Sequence, residues 1–128
     1  MYTNIDTDHA LEEMAHFLWT SRLCKDVPHA AVIAGLEILM RNNVFRFGDT
    51  FWHQQQGTAM GTPPAPPYAT LSFGIHELKV VPRFAPSLKS YSRYIDDVLG
   101  LWIHDPDPVV DPQNFLAFET SMNFFGNL

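Results

Sequence analysis

The stretch that decides the fold is SYSRYIDDVLGLWI, Ser90 to Ile103. Polar and aromatic residues alternate up to Tyr94, two adjacent carboxylates follow at Asp96 and Asp97, and an apolar run completes the stretch. The alternation is typical of a β-strand, and β-branched and aromatic residues after the acids are typical of a buried strand. The stretch therefore predicts a β-hairpin with an acidic tip and a buried second strand, formed by Val98, Leu99, Leu101, Trp102 and Ile103.

The two acids at this tip have two interpretations. Adjacent carboxylates repel each other, and between buried strands they cost stability unless a cation compensates them. Mg²⁺ is the simplest such cation, because it takes hard oxygen ligands from carboxylates and phosphates. Aspartate is also a common turn residue that bonds to its own backbone. On the hairpin alone an ordinary solvated turn is the better explanation, so the context must decide.

The composition indicates one globular domain, covering residues 1–128. The 128 residues are 46% hydrophobic, 13% aromatic and 17% charged, which is globular rather than disordered. The net charge of −6, with 8 basic against 14 acidic residues, argues against a free-standing nucleic-acid binder. The sequence contains neither a candidate membrane span nor a secretory signal, so we expect an intracellular protein without a membrane partner.

Helical spacing elsewhere in the chain predicts four helices. The first follows a short strand end at Tyr2 to Ile5, and the third follows a loop rich in glycine and proline. Their expected bounds are a cap at Thr7 or Asp8 for the first, Pro28 to Asn42 for the second, a start at Thr62 and Pro63 with helical spacing from Tyr68 to Val81 for the third, and Asn114 to about Phe124 for the fourth.

Two further segments have turn character. VFRFGDTFWHQQ predicts a short hairpin around Gly48 and Asp49, in which Phe45 and Phe47 face Phe51 and Trp52. HDPDPVVDPQ, residues 104–113, predicts a solvated loop without a metal site, because its prolines favour extended backbone. Helices and antiparallel hairpins together predict the α+β class.

The loop before the third helix is QQQGTAMGTPP, residues 54–64. Gly57 and Gly61 permit positive φ or a close approach of the backbone. The loop has two interpretations: a rigid connection to a core helix, or a surface whose backbone lies close to a flat ligand such as a base pair.

Taken in order, these residues resemble a reverse transcriptase, most closely one of the Penelope-like retroelement group. The resemblance covers nearly the whole chain, and its middle block is the most specific part. It favours the polymerase interpretation of the two acids, because the motif now has its context. The matching segments are YTNI at Tyr2 to Ile5, Gln54 with GTAMGTPPAPPYATL at Gly57 to Leu71, then Gly74 and Glu77, RYIDD at Arg93 to Asp97, and Phe118 to Asn123.

The resemblance implies a polymerase palm, an antiparallel sheet that carries the acidic hairpin and is backed by helices. The implied reaction is RNA-templated DNA synthesis, in which a primer 3′ hydroxyl attacks the α-phosphate of a deoxynucleoside triphosphate. Two Mg²⁺ ions would activate the attacking oxygen and neutralise the pyrophosphate. The implied partners are an RNA template, a DNA primer and a deoxynucleoside triphosphate.

The resemblance also assigns roles to single residues. Asp96 would be the principal metal ligand and Asp97 its neighbour, while Tyr94 would lie near the primer end. Tyr2 would exclude a ribose 2′ hydroxyl by its bulk. The template and the incoming nucleotide would contact Gln54, Gly57, Thr58, Ala59 and Met60.

The sequence departs from the family pattern in ways that affect activity. The aspartate that opens the first motif would stand five residues before Tyr2, outside this sequence, and it normally bridges both metals. We therefore expect little or no polymerase activity from this polypeptide alone. We also expect a palm fragment truncated at both ends, whose missing fingers and thumb leave apolar surface exposed.

Three interpretations remain open at this stage. The chain is either a catalytic palm fragment or a domesticated, non-catalytic module that keeps the fold for binding. A third interpretation is an unrelated hydrolase or calcium binder with an acidic turn. The polymerase interpretation expects Asp96 and Asp97 to point toward the loop from Gly57 to Gly61.

Overall fold

A computed structural model describes residues 4–59, 61–95, 97–105, 107 and 109–123. The chain divides into two compact units, Met1–Ile75 and His76–Leu128. In the described residues, helices and two antiparallel two-stranded sheets confirm the α+β class. The elements are α1 (Thr7–Thr20), α2 (His29–Arg41), β1 (Val44–Phe47), β2 (Thr50–His53), α3 (Ala65–Val80), β3 (Leu88–Tyr94), β4 (Asp97–Trp102) and α4 (Val110–Met122).

Helix α1 is capped by Asp6, so the predicted cap at Thr7 or Asp8 is wrong by one or two residues. The Asp6 carboxylate accepts a hydrogen bond from the His9 amide at 3.0 Å, which satisfies one of the first-turn donors. The helical spacing predicts an apolar face with Leu11, Met14 and Leu18, which are buried together with Ala10, whereas Trp19 at its edge is exposed.

Helix α2 and the hairpin of β1 and β2 complete the elements before α3. The helix ends before Asn42 as predicted, and its Met40 is buried. In the hairpin, Gly48 has a φ of 61° in the turn, and Phe45 pairs with Trp52 as expected. Phe47 pairs with Thr50 instead of an aromatic residue, because only the two turn residues separate the strands.

Helix α3 begins at Ala65, shortly after the expected start at Thr62 and Pro63. The preceding loop turns through hydrogen bonds from the Thr62 amide to the Ala59 carbonyl and from the Ala65 amide to the Thr62 carbonyl. Pro66 and Pro67 then occupy the first helical turn, where a missing amide costs no helical hydrogen bond. The proline-rich segment is therefore part of the helix start rather than only a stiff approach to it.

Strands β3 and β4 form the predicted acidic hairpin, but the prediction that β4 is buried is wrong. Val98, Leu99 and Leu101 are 45%, 76% and 60% exposed. Leu99 and Leu101 pair with Ser92 and Ser90, so they lie on one face of a two-stranded sheet. Apolar composition identified the strand correctly but could not tell whether another element covers that face.

The second unit is organised around Trp102 at the end of β4. Its ring packs edge-on against Phe115 at a centroid distance of 5.4 Å and lies 5.7 Å from Phe118, both on α4. Phe84, in a 3₁₀ turn after α3, contacts Phe118 at 5.3 Å. These contacts join the hairpin and α4 into one apolar cluster.

The described residues of the loop before α4 are exposed, as expected, and aspartate side chains form its hydrogen bonds. Asp107 accepts hydrogen bonds from the Val109 and Val110 amides at 2.8 and 3.3 Å, so α4 begins at Val110 and not at the predicted Asn114. Asp111 accepts from the Trp102 indole at 3.0 Å and from the His104 ring at 2.6 Å. The His104 bond is the main cause that lowers the pKa of Asp111 to about 2.

Within the described part of the chain, every helix is too short or too polar to cross a lipid bilayer.

Candidate metal site at the acidic hairpin

The acidic hairpin turns within two residues. Tyr94 pairs with Asp97, so two residues join the strands, and Ile95 is the one that the structure describes. Two-residue loops of this kind are favoured when the backbone takes positive φ, and Ile95 has a φ of 55°. For an L-residue the left-handed region costs about 1–2 kcal/mol, and for a β-branched residue it is an outlier. Backbone strain is therefore stored beside the predicted carboxylates.

A largely buried ion pair contacts this turn from the neighbouring helix and strand. Arg93 Nε donates to Glu77 Oε1 at 2.7 Å, and Arg93 Nη1 donates to the carbonyl oxygen of Ile95 at 3.0 Å. The Tyr91 hydroxyl donates to the same Glu77 oxygen. The arginine and glutamate side chains are only 11% and 14% exposed. Burial, reinforced by the bond to Glu77, raises the pKa of Tyr91 well above its usual value.

Two of the predicted site residues lie across the turn from each other. Asp97 is the first residue of β4 and is exposed, and Tyr94 is 76% exposed. Directly paired residues of an antiparallel ladder project from the same face, so the predicted primer-end tyrosine and the predicted metal ligand are neighbours. Asp96, the predicted principal ligand, lies outside the described residues.

The chemistry of these donors suits a hard divalent cation. Asp96 and Asp97 supply carboxylate oxygens at consecutive positions, and Mg²⁺ is commonly held by one or two carboxylates with water or phosphate as further ligands. Among the described residues, no three His, Cys, Asp or Glu side chains form a group that could hold a metal ion. The donor type therefore fits Mg²⁺, with the remaining ligands to come from outside this pair.

The glycine loop belongs to the first unit. Gly57 has a φ of 77° and donates its amide to the Ile5 carbonyl at 3.0 Å. The structure thus joins two segments of the family resemblance, the end of YTNI and the start of GTAMG. Tyr2 and Met60 lie outside the described residues, so their predicted roles stay predictions.

The loop residues differ in how much surface they offer. Gly57 is buried, and Thr58 is 1% exposed and donates its hydroxyl to the Met40 sulfur at 3.2 Å. Gln54 and Ala59 are half-buried. In this conformation Gln54 and Ala59 offer more surface to a bound strand than Gly57 and Thr58 do.

Gln54 also lines an open polar cavity of about 530 Å³ in the first unit. The Gln54 amide side chain donates to the Gln56 carbonyl at 2.8 Å. Arg41, on the same cavity, is held by Asp8 at 2.5 Å, and this hydrogen bond raises the pKa of Arg41. The sequence analysis missed the cavity, because its acids, its arginine and its glutamines come from three distant segments with no common spacing.

The glycine loop and the acidic hairpin belong to different units. The prediction that they share one site joins the two units and therefore stays a prediction. The sequence analysis also missed the contact of Glu77 with Tyr91 and Arg93. The available signal was the alternation of β3, which puts Tyr91 and Arg93 on the same face of the strand.

Comparison with protein-family models, with curated proteins and with solved structures found no match to this chain.

Proposed function

We propose that this chain is part of the palm of a retroelement RNA-directed DNA polymerase, and that its acidic hairpin binds the catalytic magnesium ions. The observation that carries the proposal is the two-residue turn between Tyr94 and Asp97, with left-handed Ile95 inside it. An ordinary solvated aspartate turn does not need a β-branched residue in that conformation. Strain of this kind persists where the surroundings enforce it and is common at functional sites.

The proposed roles follow the sequence resemblance residue by residue. Asp96 and Asp97 hold magnesium, which when bound activates the attacking hydroxyl and stabilises the leaving pyrophosphate. Tyr94, exposed beside Asp97, contacts the primer end. Gln54 and Ala59 supply side-chain and backbone contacts to the template and the incoming nucleotide. The fingers, the thumb and the first-motif aspartate belong to other parts of the complete enzyme.

Metal binding is the first test, because both proposed carboxylate ligands lie in this chain. Mn²⁺ is titrated into isotope-labelled protein, and paramagnetic broadening of amide resonances locates the bound ion. We expect broadening at Tyr94 and Asp97 that Asp97→Asn and Asp96→Asn each weaken strongly. Asp49→Asn is the matched control, because Asp49 is an exposed aspartate in the other hairpin turn. Broadening that is equal in all three variants contradicts the proposal.

Polymerase activity is tested on a polypeptide that also supplies the first-motif aspartate. We expect extension of a DNA primer on an RNA template by this protein, and loss of extension in its Asp96→Asn variant. Equal extension by both would remove the catalytic assignment. If neither extends a primer and Mn²⁺ does not bind, retained binding of nucleic acid would instead support the non-catalytic module.

A further inference from the structure

One side chain links the strained turn to the neighbouring helix. Ile95 has a φ of 55°, and its carbonyl oxygen accepts a hydrogen bond from Arg93 Nη1 at 3.0 Å. The same guanidinium donates from Nε to Glu77 Oε1 at 2.7 Å. Because a guanidinium is planar and its donors have fixed directions, it holds these two acceptors at a set angle to each other. The carbonyl of the strained residue is thereby tied to α3.

The position of the glutamate is itself fixed from two directions. Glu77 Oε1 accepts from Arg93 and from the Tyr91 hydroxyl. The ion pair is largely buried, and removing one partner of a buried pair leaves an uncompensated charge that strongly disfavours the altered arrangement. A strained backbone persists only where its surroundings determine it in this way.

We infer that Glu77 and Arg93 are positioning residues that hold Ile95 in the left-handed conformation and thereby orient Asp97 toward a bound divalent cation. The part concerning the cation rests on the proposed function, whereas the part concerning Ile95 does not. Asp97 follows the turn and pairs with Tyr94, so a change of backbone at Ile95 changes where its carboxylate points. Residues that orient metal ligands without touching the metal commonly alter affinity when they are replaced.

The first test replaces the arginine by a residue of equal charge. Arg93→Lys keeps a cation near Glu77 but loses the planar fork of donors. Two readouts are taken from the full chain: the amide-to-Hα scalar coupling and carbon shifts of Ile95, which report its φ, and the Mn²⁺ affinity measured at Asp97. We expect the Ile95 signals to move toward those of a negative φ, and the Mn²⁺ affinity to fall by about 10- to 100-fold. The control, Arg83→Lys, alters an exposed arginine of the same unit and should change neither readout.

A second variant separates positioning from charge and from stability. The double substitution E77M/R93M removes two opposite charges, so the net charge is unchanged. Replacing a buried pair by apolar residues of similar volume is often neutral for stability. The double variant should therefore fold, yet it has no donor for the Ile95 carbonyl, and we expect it to lose Mn²⁺ affinity and the left-handed signature together. Wild-type affinity and wild-type Ile95 signals in this variant would overturn the inference.

The two proposals fail in different ways. A wild-type chain that binds no Mn²⁺ at Asp97 refutes the proposed function and leaves the Ile95 readout to decide the inference about its backbone. If Arg93→Lys and E77M/R93M then leave the Ile95 signals unchanged, that inference is wrong as well. If both variants shift them, Glu77 and Arg93 hold the turn.

Discussion

The left-handed backbone at Ile95 predicts that glycine gives a more stable variant than alanine at one position, and alanine a more stable variant than glycine at another position nearby. Ile95 and Val98 are both β-branched and are 46% and 45% exposed, but only Ile95 has a positive φ. Val98 lies within β4, where backbone is extended. Glycine should therefore be tolerated better than alanine at position 95, and alanine better than glycine at position 98.

The expected magnitudes follow from three terms. Loss of a half-buried side chain costs roughly 1 kcal/mol at either position. Glycine costs a further 0.5–1 kcal/mol or so, because it loses more conformational freedom on folding. At Ile95, glycine also removes the Cβ clash of the left-handed region, which returns about 1–2 kcal/mol. Ile95→Gly should therefore lower the free energy of unfolding by about 1 kcal/mol less than Ile95→Ala does. Val98→Gly should lower it by more than Val98→Ala does.

The assay must report the second unit alone. The chain has 3 tryptophans, of which Trp19 and Trp52 are 58% and 56% exposed, so both can be replaced by phenylalanine at low cost. Trp102 then remains as the fluorescent reporter of the aromatic cluster beside the hairpin. Urea unfolding of the four variants in this background gives each free energy of unfolding.

The decisive result is the sign of the difference between glycine and alanine. If alanine is the more stable substitution at both positions, Ile95 stores no left-handed strain. The argument from strain to function at the acidic hairpin would then have no basis, whatever the metal-binding experiment shows.

Three further predictions concern single polar groups. Because the folded chain lowers the pKa of Asp111 from 3.8 to about 2, its carboxylate stabilises the fold above about pH 4, and this stabilisation is lost as the pH falls toward 2. The free energy of unfolding, measured with urea, should therefore fall more steeply over this pH range in wild type than in Asp111→Asn. The Tyr68 hydroxyl is buried, and the Thr7 side chain is its weak hydrogen-bonding neighbour, so Tyr68→Phe should change the unfolding free energy by less than about 1 kcal/mol, and a clearly larger loss would contradict this. Thr58→Val should change the unfolding free energy by less than about 1 kcal/mol, because the sulfur of Met40 is a weak acceptor.

The sequence was sufficient for those features that depend on local chemistry. The hairpins at Gly48 and at Ile95, the four helices and the end of α2 at Asn42 all follow from turn residues and from periodicity. The acidic tip follows from the four adjacent residues Tyr94 to Asp97. These features need only neighbours in the chain to be decided.

The sequence failed where a second element decides the outcome. The apolar residues of β4 predicted a buried strand, yet Leu99 and Leu101 are exposed, because burial depends on what covers the sheet. The loop after His104 is exposed where it is described, as expected, but the sequence did not predict that the Asp111 carboxylate accepts hydrogen bonds from an indole, a ring nitrogen and the backbone amide of Asp105. Neither spacing nor composition encodes which donor meets that carboxylate.

The contact between Glu77 and Arg93 gives a physical reason for two parts of the sequence to occur together. They come from separate motifs of the resemblance, one near the end of α3 and the other in β3, yet their side chains meet at 2.7 Å with little exposure. A largely buried arginine without its carboxylate, or the reverse, costs stability, so replacing either residue alone should destabilise the contact between α3 and β3. The short segment that follows Arg93 is then constrained twice, by the two-residue turn and by the bond to the Ile95 carbonyl. The backbone at Ile95 is therefore held by a contact from α3 through Arg93, while Asp97 itself is exposed.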